Sequence, residues 1–202
     1  MKYIITGILL FLSVSLFSQE DTKNNYEKKE VYIEMRDGTK LFTAIYTPKD
    51  ISADINYPIL MQRTCYSIAP YGEDNFKKSL GPNVFLQKDK YIYVYQDVRG
   101  RYMSEGVFTN MTPQVAHKTK KDIDESTDTY DTIDWLVKNI KNNNGKVGQY
   151  GTSYPGFYAA VGTLANHSAL VASSPQAPIS DFFFDDFHHN GAFLMSYFKT
   201  FP

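Results

Sequence analysis

The sequence has little cysteine, little tryptophan and no excess of one charge. Its 202 residues include one cysteine, Cys65, and one tryptophan, and 21 basic residues balance 22 acidic ones. A lone cysteine excludes an internal disulfide framework and a metal site built from cysteines, so we expect Cys65 to be buried and unpaired. Proteins that bind nucleic acid concentrate lysine and arginine, so the balanced charge argues against that class. With 43% hydrophobic residues, the chain can fold around a core.

A long hydrophobic run occurs only at the amino terminus. Lys2 precedes the apolar residues 3–17, and Ser18 offers a small side chain for cleavage. The run is shorter than the roughly 20 residues that span a bilayer, so it predicts a signal peptide over residues 1–18. We therefore expect a secreted or periplasmic protein that keeps no stable membrane anchor after cleavage. Residues 19–30 are expected to form a polar leader.

Beyond the leader, an antiparallel hairpin is followed by alternating strands and helices. Alternate apolar residues in 31–35, a turn at Asp37-Gly38 and the run 41–46 predict the hairpin. A loop is expected over residues 98–121, and Ser126 or Asp128 is expected to cap the second helix. Further strands are predicted at 57–63, 91–97, 146–150 and 170–173. Helices are predicted at 74–89, with a Gly-Pro break at 81 and 82, and at 128–140 and 155–164. The fold class is therefore α/β, with a mostly parallel sheet.

The sharpest chemical motif is Gly151-Thr152-Ser153-Tyr154-Pro155-Gly156. A predicted strand runs directly into it and a helix rich in small residues runs out of it, an arrangement typical of a nucleophile elbow. Such a turn exposes the Ser153 hydroxyl and points the following backbone N–H at developing negative charge. Glycine suits positions 151 and 156 if a Cβ there would crowd the neighbouring strand or helix. The alternative is that Ser153 merely caps the helix.

Four motifs together resemble one enzyme group. They are YQDVRGRYMSEG at 95–106, YDTIDWL at 130–136, GQYGTSYPGF at 148–157 and DDFHHNGAF at 185–193. These segments resemble the CocE/NonD-type, Xaa-Pro dipeptidyl-peptidase-like group of α/β-hydrolases, and within it the α-amino-acid ester hydrolases. The resemblance implies an α/β-hydrolase domain whose amino-terminal part covers residues 31–180, with the start of a helical cap at 181–202.

The same resemblance implies roles for five residues. Ser153 is the nucleophile, and the backbone N–H of Tyr154 and the hydroxyl of Tyr66 form the oxyanion hole. Asp185 or Asp186 belongs to an acidic cluster that holds the α-ammonium group of a substrate. The alternatives are that Tyr66 packs among the other tyrosines and that the two aspartates are solvated acids at a helix start.

Two residues of the QDVRG turn are expected to be structural. Asp97 and Arg99 would act as an ion pair or as loop anchors rather than in catalysis. No metal or organic cofactor is implied.

The catalytic triad is incomplete in this sequence. A serine needs a histidine and an acid, which follow it in α/β-hydrolases on loops after later strands. Asp181 or Asp185 with His188 or His189 has the right order, but about 30 residues after Ser153 leave too little room for those strands. The resemblance therefore places the acid and the histidine beyond residue 202, and we expect the fold to be incomplete and the 202 residues alone to be inert. The two remaining histidines, His117 and His167, are expected to be exposed.

These observations predict a serine hydrolase that cleaves esters or amides through an acyl-enzyme on Ser153. Its expected substrate is a small ester or amide with a free α-amino group, as for an α-amino-acid ester hydrolase or acylase. A Xaa-Pro dipeptidyl-peptidase or a plain carboxylesterase is the alternative among active enzymes. A truncated or degenerate product that keeps only a binding surface is the alternative from another class. The oligomeric state is not predicted.

Overall fold

A computed structural model describes residues 22–50, 55–116 and 118–195 of the chain. The predicted signal peptide lies outside these residues. Six strands form one sheet in the order β1-β2-β4-β3-β5-β6. The pairs β1-β2 and β2-β4 are antiparallel, and the pairs β3-β4, β3-β5 and β5-β6 are parallel. The strands are β1 (Tyr26–Glu34), β2 (Lys40–Pro48), β3 (Tyr57–Thr64), β4 (Ile92–Asp97), β5 (Asn143–Thr152) and β6 (Leu170–Gln176). This confirms the mostly parallel sheet with an antiparallel start.

Helices connect the parallel strands. They are α1 (Val84–Lys88), α2 (Glu125–Asn139) and α3 (Tyr154–Thr163). A π-helix, Phe182–Phe187, follows β6 and leads into the two-residue strands β7 (His188–His189) and β8 (Ala192–Phe193). Within the described ranges, no helix has both the length and the hydropathy needed to cross a membrane.

Strand β1 begins at Tyr26, five residues before the expected start at Val31. The side chain of Lys28 is buried, at a position of the strand where an alternating pattern would have an apolar residue. The pattern therefore did not predict this part of β1. Its ammonium group lies 2.7–2.9 Å from three backbone carbonyl oxygens of the 70–75 segment and 2.6 Å from Glu30. A buried lysine needs such partners, and they come from a segment distant in sequence.

Helix α2 is capped by Asp124, not by Ser126 or Asp128. The Asp124 carboxylate accepts hydrogen bonds from the backbone N–H groups of Ser126 and Thr127, and the Thr127 hydroxyl bonds back in a capping box. Asp128 lies in the first turn, where it forms ion pairs with Arg63 and Arg99.

The helix expected over 74–89 is present only as α1. Asn83 caps this short helix, and the N–H groups of Leu80 and Gly81 donate to side chains instead of to helix carbonyls.

Apolar clusters cover both faces of the sheet. One face packs aliphatic side chains, such as Ile59 and Val94, against α2 through Ile133 and Leu136. The opposite face is aromatic and is covered by the 68–80 segment. A third cluster lies under the carboxyl edge of the parallel strands and contains Cys65, Val98, Tyr154, Phe157, Tyr158 and Ile179. Cys65 is free and buried, as predicted.

Candidate active site

The turn between β5 and α3 has the geometry of a nucleophile elbow. Ser153 lies between the last strand residue, Thr152, and the first helix residue, Tyr154. Its backbone has φ 63° and ψ −124°, a conformation that residues with a side chain rarely adopt. Such strain persists only where the surroundings enforce it, and it is found most often at active sites.

Two glycines make this turn possible. A Cβ on Gly151 would lie 2.1 Å from the carbonyl oxygen of Pro155, and a Cβ on Gly156 would lie 2.5 Å from that of Gln176. Both distances are far below van der Waals contact, and both obstacles are backbone atoms. The expectation that these positions exclude a side chain is therefore confirmed.

Backbone hydrogen bonds fix Ser153 and leave its side chain outside the helix cap. Its N–H donates to the Gln176 carbonyl at 3.0 Å, and its carbonyl accepts from the Phe157 N–H at 3.0 Å. The hydroxyl makes no capping hydrogen bond, and the residue is exposed. The alternative that Ser153 is merely a helix cap is therefore wrong.

Tyr66 lies at the same edge of the sheet as Ser153. It follows β3, which pairs in parallel with β5, so the two strands end side by side. Its ring lies edge-on to that of Tyr154, with centroids 6.1 Å apart, and 40% of the residue is exposed. Burial, and then the nearby Cys65 and Asp186, raise the pKa of the Tyr66 phenol. The phenol is therefore protonated at neutral pH and can donate a hydrogen bond at this edge.

The side chain of Tyr154 ties the elbow to the long loop after β4. Its hydroxyl donates to Asn110 at 3.1 Å and accepts from the Met111 N–H at 3.0 Å. Burial raises the pKa of this phenol to about 12. Tyr154 is also the first residue of α3, and the N–H groups of a first helical turn point out of the helix end, toward the Ser153 side.

The aspartates of the DDFHH segment lie inside the π-helix, not at its start. Asp181 caps that helix, and its carboxylate accepts from the Phe183 and Phe184 N–H groups at 2.8 and 3.2 Å. Asp186 is half-buried and close enough to affect the pKa of Tyr66 electrostatically. The side chain of Asp185 lies outside the described part of the structure. The π-helix lies against the elbow, since the Phe182 ring is 5.8 Å from the Tyr154 ring.

None of the described histidines forms a hydrogen bond with Ser153. His167 lies at the far end of α3, where its ring packs on Tyr130 and its Nε2 is 3.7 Å from Asp134. Its side chain is only 8% exposed, so the expectation of an exposed histidine is wrong for His167. The ring of His188 stacks on Phe183 with centroids 4.1 Å apart. His117 lies outside the described residues.

Asp97 and Arg99 do not pair with each other. The Arg99 guanidinium bonds to Asp128 at 2.7 Å and to Asp37 at 2.7 Å, joining α2 to the turn between β1 and β2. Asp97 instead accepts hydrogen bonds from Ile68 and Tyr71. Both residues are loop anchors, which is one of the two expected roles.

A buried charge network that was not predicted from the sequence lies beneath Tyr66. Arg63, at the end of β3, bonds to Gln96 at 2.8 Å and to Thr129 at 3.0 Å and is paired with Glu125 at 3.1 Å. Burial raises the pKa of Glu125 despite this arginine. The arginine within the apolar run YPILMQR was the available signal, because a charge in a buried strand requires a partner.

The described residues offer little for a metal. No group of three or more histidine, cysteine, aspartate or glutamate side chains among them is arranged to hold an ion. Burial raises the pKa of the Cys65 thiol to about 12, so this cysteine is not a reactive thiolate.

The strand order and the strained turn after β5 define an α/β-hydrolase fold. Residues 37–201 match the family described as X-Pro dipeptidyl-peptidase (S15 family). The chain belongs to that family.

Individual relatives agree with this assignment. Cocaine esterase from Rhodococcus sp. (strain MB1 Bresler) is 32% identical over 155 residues, which are 74% of this chain and 24% of that protein. The solved structure of an α-amino acid ester hydrolase matches with a TM-score of 0.75 and 41% identity, over 88% of this chain and 29% of that one. An aminopeptidase from the marine sediment archaeon Thaumarchaeota archaeon matches with a TM-score of 0.73 and 41% identity, over 84% of this chain and 28% of that one. The chain thus spans 24% to 29% of the length of these relatives.

Proposed function

We propose that this protein is a serine hydrolase that cleaves esters or amides through an acyl-enzyme on Ser153. The observation that carries the proposal is the strained backbone of Ser153, held between two glycines that admit no Cβ. The Ser153 hydroxyl attacks the substrate carbonyl carbon, and the leaving alcohol or amine departs with a proton. Water then hydrolyses the acyl-enzyme and regenerates the serine.

The oxyanion that forms in both steps is stabilised by two donors. They are the backbone N–H of Tyr154, at the start of α3, and the hydroxyl of Tyr66. Support for Tyr66 comes from its place at the end of the strand next to β5, from its contact with the Tyr154 ring and from its exposure. Removing one such donor typically slows an acyl transfer by about 100- to 1000-fold.

The proposal requires a general base and an acid that orients it. None of the described histidines forms a hydrogen bond with Ser153, and His167 packs at the far end of α3 while His188 is stacked on Phe183. We place both partners outside the described residues, in the order that α/β-hydrolases use.

The proposed substrate class is esters or amides of α-amino acids with a free amino group. Asp186 supports it, because this carboxylate lies on the π-helix beside the elbow and affects Tyr66 electrostatically. A carboxylate at the site attracts an ammonium group and repels an anionic substrate. The structural match to an α-amino acid ester hydrolase points the same way.

Ester hydrolysis by the protein as its gene encodes it tests the proposal. Ser153→Ala is expected to abolish hydrolysis of p-nitrophenyl esters without changing the fold. Ser174→Ala is the matched control, since Ser174 is an exposed serine on β6, opposite Tyr150 of β5, and is expected to be fully active. Activity that survives Ser153→Ala, or no activity in the wild type, contradicts the proposal.

The substrate class has its own test. The ratio of kcat/KM for an amino acid ester to that for its N-acetylated form measures the preference for the free amine. Asp186→Asn is expected to lower this ratio by about 5-fold, because a partly exposed charge pair contributes on the order of 1 kcal/mol. Asp181→Asn is the control, and it is expected to leave the ratio unchanged because Asp181 caps the π-helix. An unchanged ratio in Asp186→Asn would remove the amine preference but not the hydrolase.

We also propose that the protein is secreted or periplasmic, on the basis of residues 1–18 of the sequence alone. Amino-terminal sequencing of the protein from its native host tests this. A mature chain that begins near Gln19 is expected, and a retained Met1 in a cytoplasmic fraction contradicts it.

A further inference from the structure

The loop that carries Tyr66 is fixed by side chains from another part of the chain. Within the loop, the Tyr66 N–H donates to the Thr64 hydroxyl at 3.0 Å. Two residues later, the Ile68 N–H donates to a carboxylate oxygen of Asp97 at 3.0 Å. Asp97 ends β4, the other strand that pairs with β3, and is completely buried.

The second carboxylate oxygen of Asp97 binds Tyr71, near the end of the same loop. The Tyr71 hydroxyl donates to it at 2.9 Å, and that hydroxyl is also 2.9 Å from the Ser67 hydroxyl. The Ser67 oxygen accepts in turn from the Ala69 N–H at 3.1 Å. One carboxylate therefore holds the loop at two places, directly at Ile68 and through the Tyr71 hydroxyl at Ser67.

Ser67 needs this support because its backbone is strained. It has φ +85°, in the left-handed region that residues other than glycine avoid, and it immediately follows Tyr66. Such a conformation persists only where surrounding contacts enforce it. The hydrogen bonds of Asp97 to Ile68 and Tyr71 are contacts of this kind.

Arg101, in the turn after β4, holds the chain just before Tyr66. The Arg101 guanidinium donates to the Cys65 carbonyl at 3.1 Å, and it lies over the rings of Tyr102 and Phe108 at 5.1 and 5.0 Å. The two chain neighbours of Tyr66, Cys65 and Ser67, are thus both held from the turn after β4. Arg99 of that turn contacts Asp37 and Asp128 instead.

We infer that Asp97 is a positioning residue that sets the place of the Tyr66 hydroxyl at the carboxyl edge of the sheet. The inference rests on the proposed role of Tyr66 in the oxyanion hole. Asp97 does not touch the substrate in this scheme, and it acts only through the 66–71 loop.

Steady-state kinetics of Asp97→Asn in the protein as its gene encodes it test the inference. The substitution keeps the size of the side chain but replaces one acceptor by a donor. We expect kcat to fall about 10-fold with KM nearly unchanged, because an oxyanion donor acts only in the transition state. Arg99→Gln is the matched control, and it should lower stability while leaving kcat unchanged.

A double-mutant cycle separates positioning from general damage. In a Tyr66→Phe background the hydroxyl is gone, so Asp97→Asn should change kcat by less than about 2-fold. A 10-fold loss that persists in that background would overturn the inference. If Asp97→Asn does not fold, Tyr71→Phe replaces it, since that change removes only the hydroxyl between Asp97 and Ser67.

A second measurement does not depend on hydrolysis. We expect the ¹⁹F resonance of 3-fluorotyrosine placed at position 66 to shift or broaden in Asp97→Asn and to stay fixed in Arg99→Gln. If the wild type shows no hydrolysis but this shift is seen, the proposed function fails while the positioning of Tyr66 stands. An unchanged resonance in Asp97→Asn overturns the positioning.

Discussion

Two loops meet at the carboxyl edge of the sheet, and they are held in different ways. The elbow after β5 is fixed by backbone atoms close in sequence and by the neighbouring strand β6. The Tyr66 loop after β3 is fixed by the side chains of Asp97 and Arg101, about 30 residues further along the chain. Both loops contain a non-glycine residue with positive φ, Ser153 and Ser67. The same kind of strain can therefore be held locally by glycines or remotely by a buried carboxylate.

The largest expected loss of stability comes from a substitution in β3, the strand that leads into the Tyr66 loop. Arg63→Met removes the buried partner of Glu125 and one of the two arginines that pair with Asp128, and we expect a loss of about 3–5 kcal/mol in the free energy of unfolding. Urea denaturation of the purified protein measures it. Arg36→Met is the control, because the Arg36–Asp131 pair is nearer the surface and should contribute about 1 kcal/mol or less. Equal losses for the two variants would contradict the buried network.

The next effect tests the elbow. Gly151→Ala forces backbone atoms apart, and we expect a loss of about 2–3 kcal/mol together with loss of hydrolysis. Gly148→Ala is the control on the same strand, since its Cβ would be 3.4 Å from the end of the flexible Leu60 side chain. We expect this control to keep its activity. If Gly151→Ala were as stable and active as Gly148→Ala, the elbow would not be held by its backbone.

The structures of the two loops could be predicted from the sequence to different degrees. The elbow was predicted from six consecutive residues together with the predicted strand before them and helix after them, because everything that shapes it lies within these segments and the next strand. The place of Tyr66 followed only from a family resemblance. Nothing in residues 64–71 reveals that Asp97 holds them, since the contact depends on β3 and β4 lying side by side.

The same reason explains the other differences from expectation. The start of β1 was missed because the partners of Lys28 lie in the 70–75 segment. The cap of α2 was misplaced by two to four residues, because Ser126 and Asp128 are also good caps and only the folded chain recruits Asp128 to arginines. Hydrophobic periodicity predicted the element types well, and it carried no information on polar contacts between distant segments.

A smaller effect is expected at Arg101. Arg101→Gln removes the hydrogen bond to the Cys65 carbonyl and the stacking on Tyr102 and Phe108, and we expect a loss of about 1 kcal/mol. It should also lower kcat about 3-fold, because only one of the two anchors of the loop is lost. Thermal unfolding and steady-state kinetics measure the two effects. A loss of stability with no change in kcat would show that Asp97 alone positions the loop.

The smallest effect is at the Asp37–Arg99 pair, which touches neither loop. Burial opposes the charge on Asp37, but hydrogen bonds from Arg99 and Thr39 outweigh it and lower the pKa to about 2. A lowered pKa means that the pair stabilises the fold above pH 4 and that this contribution is lost as the pH falls toward 2. Asp37→Asn should therefore be less stable than the wild type at pH 6, by less than about 1 kcal/mol because the pair is partly exposed. The difference should narrow at pH 2.5, and a difference that widens there would contradict the assignment.

The most direct test of the central claim is covalent labelling of the protein with a fluorophosphonate, followed by peptide mass spectrometry. We predict a single adduct on Ser153, formed about 100-fold more slowly in Tyr66→Phe because the phosphonate oxygen occupies the place of the oxyanion. An adduct on another residue, or no adduct at all, would contradict the account of this edge of the sheet as the active site of a serine hydrolase.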